Sequence, residues 1–149
     1  MRKSIRGCQD ALDQLRYIQN ECQEVMAVLF LTTRHQVIVN KIIFRGTIDG
    51  AIASPREILK EALEVNAARM IVAHNHPSGD ADPSPEDREF TARLATSCEL
   101  MGIPLLDHLI IGTGKTFYSF AGASSQLFAG HLRRGKKSRA RLPTHPSPY

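Results

Sequence analysis

Residues 70–87 read Met-Ile-Val-Ala-His-Asn-His-Pro-Ser-Gly-Asp-Ala-Asp-Pro-Ser-Pro-Glu-Asp, which is the pattern of a buried strand, a loop and the start of a helix. Alternate residues of a strand point to the same side of a sheet, so His74 and His76 can direct both imidazoles at one point. The loop can return Asp87, at the start of the helix, to the same place. Two neutral imidazoles and one carboxylate suit a zinc ion whose fourth position is open to water. The stretch therefore predicts a catalytic metal site rather than a closed structural one.

The sequence on either side of this stretch alternates between strand and helix patterns. Short apolar runs predict strands at residues 25–31, 36–45, 70–73, 105–111 and 117–120. Helical spacing of apolar residues predicts helices over 9–22, from 54 onward and from 84 to 101. The serine–proline pairs at 54–55 and 84–85 mark the starts of the last two. The order predicts an α/β sandwich with a mixed sheet flanked by helices. The helix positions that we expect to be buried are Leu12, Leu15, Ile18 and Cys22, then Ile58, Leu59, Ala62 and Leu63, and finally Phe90, Leu94, Cys98 and Met101.

The length and composition indicate a single globular domain. A chain of 149 residues with 42% apolar residues can bury one substantial core. Its longest apolar run, at 25–31, has seven residues, whereas a helix that spans a membrane needs about 20. The basic start of the chain is not followed by the apolar segment of a secretion signal. Three widely spaced cysteines do not suggest a disulfide framework, so we expect a cytoplasmic protein without membrane attachment.

The net charge of +4 belongs to the end of the chain. Residues 131–149 hold six basic side chains and no acidic one, so subtracting six from +4 leaves −2 for residues 1–130. The lack of apolar periodicity in this segment predicts a disordered tail. Such a tail can contact DNA by releasing counterions, or it can serve only as a solvated end that keeps the protein soluble. The six basic residues are Arg133, Arg134, Lys136, Lys137, Arg139 and Arg141.

A hydrolytic zinc site also needs a base that takes the proton from water, and a carboxylate is the expected group. Glu24 stands out among the acids because it directly precedes the apolar run at 25–31. Strand ends are where sheet proteins place side chains beside a site. The alternative is that Glu24 is a solvated acid in front of a strand, and composition alone does not decide between the two.

These residues together resemble a known motif. Glu24 before a strand, then His74-Asn75-His76-Pro77, then Ser84 and Asp87, is similar to the JAMM motif of JAB/MPN domains. More narrowly, the run from His74 to Gly79 and the later Leu105-Leu106-Asp107-His108-Leu109-Ile110-Ile111-Gly112 resemble the bacterial RadC family. The resemblance covers about residues 22–122. It implies a JAB/MPN (cytidine-deaminase-like) sandwich at residues 23–126, after an N-terminal helical segment (1–22) and before the basic tail (127–149).

The resemblance also implies an activity and a role for each site residue. His74, His76 and Asp87 would bind zinc, Glu24 would be the general base, and Ser84 would help to hold the tetrahedral intermediate. Eukaryotic relatives of the fold cleave isopeptide bonds of ubiquitin-like modifiers, and related bacterial members are peptidases. The implied function is therefore that of a zinc metallopeptidase or isopeptidase in which zinc-activated water attacks an amide bond of a protein or peptide.

A second class of function stays open, namely a DNA-repair-associated nucleic-acid-binding protein or a metal-dependent nuclease. RadC proteins carry a DNA-repair label, and the basic tail would be the DNA contact. Full-length relatives usually have a helix-hairpin-helix segment before this domain, and only the short segment 1–22 stands there in this sequence, so we expect that DNA-binding module to be missing. A net charge of −2 for residues 1–130 also argues against a broad phosphate-binding face. We therefore favour amide hydrolysis, which suits a single zinc site.

Two polar features have alternative interpretations. Ser84 can act only as a helix cap, although capping and catalysis are compatible. The pair Asp107-His108 interrupts an apolar strand. Its members can satisfy each other or the backbone, or they can support the zinc ligands from behind.

Overall fold

The computed structural model describes residues 1–46 and 54–123. The predicted basic tail at 127–149 therefore lies outside the described residues, as does the stretch 47–53. The elements, in chain order, are α1 (Cys8–Leu15), a 3₁₀ helix (Arg16–Asn20), β1 (Val25–Leu31), β2 (Val37–Arg45), α2 (Pro55–Glu64), β3 (Arg69–Asn75), α3 (Pro85–Leu100), β4 (Leu105–Ile111), β5 (Phe117–Ser119) and α4 (Phe120–Ala123).

The five strands form one mixed sheet in the order β2-β1-β3-β4-β5. Strands β3 and β4 are parallel and are connected through α3, whereas the other neighbouring pairs are antiparallel. The predicted α/β class, with a mixed sheet flanked by helices, is confirmed. Because β1 runs antiparallel to β3, the start of β1 lies beside the end of β3, with Met26 opposite His74.

Helices cover both faces of the sheet, which explains why β1 is apolar at every position. One set of alternate β1 residues, including Val28 and Phe30, packs under α2 and α3. The other set, including Leu29 and Leu31, packs under α1 and the 3₁₀ helix. Every residue of β1 is buried as a result. A strand that is buried on both faces needs this kind of continuous apolar sequence.

The N-terminal helical pattern belongs to the second of these two core clusters. Leu12, Leu15 and Ile18 are buried against the sheet, as predicted. Cys22 is exposed, contrary to the prediction, because the helical structure already ends at Asn20. The division of the chain after residue 22 stays a prediction.

Two further buried positions were predicted wrongly. Leu63 is 56% exposed and Met101 is 47% exposed. The residue after a buried one lies about 100° further round the helix, and Leu63 follows Ala62, which faces the core. Met101 lies just beyond the last helical residue, where Gly102 with its φ of 68° turns the chain away. Both side chains border a surface groove between α2 and α3.

The loop after β3 is held by the turn after β4. The Gly79 carbonyl accepts hydrogen bonds from the Thr113 backbone N–H at 3.0 Å and from the Thr113 hydroxyl at 3.1 Å. A Cβ atom at Gly112 would lie 2.4 Å from the Gly79 carbonyl oxygen, so only glycine permits this approach. The loop that carries the chain from His76 towards α3 is therefore fixed against the β4–β5 turn. None of the helices in residues 1–46 and 54–123 combines the length and the apolar character needed to cross a membrane.

Candidate metal centre

Four side chains meet where the start of β1, the end of β3 and the start of α3 come together. They are Glu24, His74, His76 and Asp87, and the ligand atoms that they offer all lie within 4.8 Å of one another. Glu24 directly precedes β1, and Asp87 lies in the first turn of α3. His74 is the second-last residue of β3, and His76 follows the strand's end. The fold thus brings together four residues that the sequence pattern had singled out.

The distances in this cluster suit a single metal ion. The two oxygens of Asp87 each lie 3.1 Å from an imidazole, Oδ1 from His74 Nε2 and Oδ2 from His76 Nε2. The two Nε2 atoms are 3.0 Å apart, and Glu24 Oε1 is 3.6 Å from His74 Nε2. Ligand atoms around a tetrahedral ion with bonds of about 2.0–2.2 Å are roughly 3.3–3.6 Å apart. Two imidazole nitrogens and one carboxylate that face the same point form a donor set that fits a divalent metal ion.

Burial falls from one side of the cluster to the other. His74 and Asp87 are 0% and 2% exposed, whereas His76 and Glu24 are 15% and 20% exposed. The cluster is therefore open to solvent on the side of His76 and Glu24. Two deeply buried side chains that could hold a metal ion thus have an acid beside them that water can reach.

The groups in the cluster shift one another's pKa values, downward for Asp87 and upward for His76. Burial acts to raise the pKa of Asp87, but hydrogen bonds with His74 and His76 outweigh it and hold that pKa well below its usual range. The hydrogen bond with Asp87 in turn raises the pKa of His76, although partial burial opposes this shift. Asp87 is therefore a carboxylate under all ordinary conditions, and its negative charge attracts a cation.

Ser84 and Asp87 form a capping box at the start of α3. The Asp87 backbone N–H donates to Ser84 Oγ at 3.0 Å, and the Ser84 backbone N–H donates to Asp87 Oδ2 at 2.9 Å. Ser84 thus caps the helix and also orients the carboxylate that faces the histidines. Because its oxygen accepts this bond, the hydroxyl group keeps its own O–H for donation.

Asn75, between the two histidines, is a site residue that the sequence analysis missed. Its Oδ1 atom accepts from the Val25 backbone N–H at 2.7 Å. Its Nδ2 atom donates to the backbone carbonyls of Glu21 at 3.3 Å and Gln23 at 3.1 Å. These bonds hold the backbone on both sides of Glu24. The apolar run that predicted the strand ends at Ala73, so nothing in the sequence indicated that Asn75 is a buried residue of β3.

Asp107 and His108 are neighbours in β4, and their side chains have partners on opposite faces of the sheet. Asp107 accepts from the Ser119 hydroxyl at 2.6 Å and from the Ala121 backbone N–H at 2.9 Å, so it holds the corner between β5 and α4. Burial raises the pKa of Asp107, although these hydrogen bonds oppose the shift. His108 points to the opposite face, where its Nε2 atom lies 2.7 Å from His74 Nδ1. Asp107 therefore satisfies hydroxyl and backbone groups, whereas His108 lies behind one histidine of the cluster, and its support of a zinc ligand stays a prediction.

Comparisons with known proteins show what this chain is similar to. The family model described as a RadC-like JAB domain matches residues 5–126. A UPF0758 protein of Vibrio cholerae is 54% identical over 98 residues, which cover 66% of this chain and 61% of that protein. A UPF0758 protein of Acidithiobacillus ferrooxidans is 52% identical over 98 residues, covering 66% of this chain and 44% of the relative. One of Actinobacillus succinogenes is 50% identical over 109 residues, covering 70% and 49%. The chain thus spans about half the length of the curated relatives that it matches.

Proposed function

This chain belongs to the family of RadC-like JAB domains, and from that premise we propose that it is a zinc-dependent hydrolase of the JAMM type that cleaves amide bonds. The observation that carries the proposal is the meeting of His74, His76 and Asp87 around one point, with Glu24 on the exposed side. A metallopeptidase or isopeptidase with a protein or peptide substrate suits this site best, because a single ion with an open position is sufficient for amide hydrolysis.

Each site residue would have its own role in the reaction. His74, His76 and Asp87 would hold the zinc ion, which when bound would polarise the scissile carbonyl and lower the pKa of water beside it. Glu24 lies at the open edge of the cluster, so its carboxylate can take a proton from water and pass it to the leaving nitrogen. Ser84 would donate its hydroxyl hydrogen to the oxygen that gains negative charge at the reacting carbon. Asn75 would keep Glu24 in place through the backbone on either side.

The proposal is tested with purified zinc-loaded protein, a peptide library and an isopeptide-linked substrate. We expect cleavage that stops when a chelator removes the metal and returns when zinc is added back. His74→Ala should abolish it, whereas Thr96→Val, a change on the exposed side of α3, should not. Absence of cleavage by a protein that holds one zinc ion per chain would count against peptidase activity.

The alternative is a nuclease or a DNA-binding repair protein, and its specific support is the basic segment at 131–149. The same protein is therefore incubated with single-stranded and double-stranded DNA, with and without that segment. Loss of DNA binding on truncation, with peptide cleavage unchanged, would assign the DNA contact to the tail alone. DNA cleavage that survives truncation and disappears in His74→Ala would overturn the peptidase proposal, because it would place phosphodiester chemistry at the metal site.

We expect the affinity for zinc to fall as the pH is lowered. A protonated imidazole cannot bind a metal ion, and the raised pKa of His76 means that protons begin to compete above its ordinary value of 6.5. The lowered pKa of Asp87 keeps the carboxylate ionised over the same range, so protonation of His76 should control the loss. Competition with a chromogenic chelator should show affinity falling about tenfold per pH unit for each proton taken up. An affinity that is constant between about pH 8 and pH 5.5 would show that His76 is not a ligand.

Replacing Asn75 by aspartate should lower turnover without removing the metal. The carboxylate would face the backbone carbonyls of Glu21 and Gln23 and lose both hydrogen bonds, so Glu24 should move. Small misplacements of a catalytic group cost about 10- to 100-fold in rate. Asn40→Asp is the matched control, because Asn40 donates to the Gln14 carbonyl away from the cluster. Unchanged turnover of Asn75→Asp at full zinc occupancy would remove Asn75 from the mechanism.

A further inference from the structure

A row of hydrogen bonds runs behind the metal cluster, on the side away from solvent. It begins at the backbone carbonyl of Asp87, passes through Thr91 and His108, and ends at His74. Thr91, His74 and His108 are all 0% exposed. Two of the proposed zinc ligands are therefore connected through the core as well as across the metal position.

The direction of each hydrogen bond follows from the chemistry of its atoms. Thr91 Oγ1 lies 2.6 Å from the Asp87 carbonyl oxygen, which can only accept, so the threonine hydroxyl donates. The hydroxyl has one hydrogen, and its oxygen must therefore accept at its second contact, 2.6 Å from His108 Nδ1. This places a hydrogen on Nδ1 of His108.

The remaining nitrogen of His108 then fixes the next bond. His108 packs between apolar rings, stacked on Phe120 at 5.0 Å and edge-on to Phe90 at 6.2 Å, surroundings that suit a neutral imidazole. A neutral imidazole with its hydrogen on Nδ1 has an acceptor at Nε2. That acceptor lies 2.7 Å from His74 Nδ1, so His74 must be the donor.

We infer that Thr91 and His108 are positioning residues that keep a hydrogen on Nδ1 of His74, so that Nε2 is the nitrogen left to bind a metal ion. Nε2 is the atom that faces Asp87 and His76 in the cluster. The opposite direction of bonding would leave a hydrogen on Nε2 and block that atom as a ligand. The inference rests on the proposed zinc-dependent function, because it concerns how a proposed ligand is prepared to bind metal.

The two histidine ligands would then be prepared in different ways. His76 Nδ1 lies 2.7 Å from the backbone carbonyl of Asp80, a common partner for a metal-binding histidine. His74 instead has another imidazole as its acceptor, and that imidazole depends on Thr91. A change at Thr91, which is not itself a proposed ligand, should therefore alter zinc binding through the side chains of His108 and His74.

The test compares three variants of α3. Thr91→Val keeps the shape of the side chain but removes the acceptor for His108. Thr91→Ser restores the hydroxyl, and Thr96→Val removes a hydroxyl that makes the same kind of bond, to the Ala92 carbonyl, on the exposed side of the helix. We expect zinc affinity in chelator competition to fall about 10- to 100-fold in Thr91→Val, the usual cost of losing such a supporting group. Thr91→Ser and Thr96→Val should stay within about threefold of the original protein, well below that cost.

Nitrogen NMR of the metal-free protein gives a second readout that needs neither zinc nor a substrate. We expect Nδ1 of His74 to carry a hydrogen in the original protein, as its contact with His108 requires, and Thr91→Val to lose this preference. The absence of a hydrogen from Nδ1 of His74 in the original protein would overturn the inference, and so would unchanged zinc affinity in a folded Thr91→Val. If Thr91→Val does not fold, the tautomer in the original protein and in Thr91→Ser decides the matter. A protein that binds no zinc but has the expected tautomer would refute the proposed function and leave the inference standing.

Discussion

Replacing Glu24 by glutamine should reduce turnover at least about 100-fold while the fold and one bound zinc ion per chain are retained. The amide keeps the size of the side chain but cannot take a proton from water, and general-base catalysis contributes about 10²- to 10⁴-fold. A loss of 100-fold corresponds to about 2.7 kcal/mol of transition-state stabilisation. The measurement is kcat on the best peptide from the library, at matched zinc content. Glutamine has the size of glutamate, and residue 24 precedes β1 instead of belonging to it. Circular dichroism should therefore show no change in fold.

Glu21→Gln is the matched control for this variant. Glu21 lies three residues earlier, and its carboxylate forms an ion pair with Arg45 at 3.1 Å instead of facing the cluster. This substitution removes the same charge from the same segment, and turnover should change by less than about twofold, as expected for an exposed ion pair of small energy. Equal activity of Glu24→Gln and Glu21→Gln on the same peptide would remove Glu24 as the base.

Replacing Asp87 by asparagine should abolish stoichiometric zinc binding at micromolar metal. The carboxylate contributes both oxygens to the cluster, each 3.1 Å from an imidazole, and it is the only negatively charged member of the proposed ligand set. We expect zinc affinity to fall by more than about 100-fold, beyond the cost of changing a supporting residue. The amide oxygen can still accept the Ser84 backbone N–H, so α3 should keep its cap. Elemental analysis after gel filtration measures the bound metal.

Glu86→Gln separates the ligand role of Asp87 from a general effect of charge. Both acids lie in the first turn of α3, where negative charge stabilises the helix. Removing either charge should therefore lower the stability of the helix by a similar amount. Glu86 is exposed and lies outside the four-residue cluster, and its glutamine variant should keep its zinc. Full zinc occupancy in Asp87→Asn would show that the carboxylate does not hold the metal.

Much of the fold was predictable because the strands have unambiguous patterns. Residues 25–31 are apolar without interruption, and the structure buries all seven on both faces of the sheet. The serine–proline pairs at Ser54 and Ser84 marked the starts of two helices, since a capping hydroxyl and a proline favour only that position. The predictions failed at Leu63 and Met101, because apolar spacing does not tell which neighbouring element covers the last turn of a helix.

The candidate site was predictable only as far as its local spacing allowed. His74, His76 and Asp87 lie within one strand–loop–helix stretch, so their meeting could be argued from strand geometry. Thr91 and His108 could not be assigned in the same way, because the bond between them joins α3 to β4 across the core. Asn75 was missed for a similar reason, since its partners are backbone atoms of the distant segment before β1.

The origin of the four cluster residues has a consequence for how this domain can diverge. The three proposed ligands come from one stretch of 14 residues, 74–87, whereas the proposed base comes from a segment 50 positions earlier in the chain. The proposed zinc ligands and the proposed base therefore lie in separate segments of the chain, and one can change without the other. If the proposed roles are correct, a single change at residue 24 would leave a descendant that still carries metal, keeps its fold and has lost most of its turnover. Such a pseudoenzyme could evolve into a recognition module. Its sequence would then keep the His-x-His pattern but lack the glutamate before the first strand.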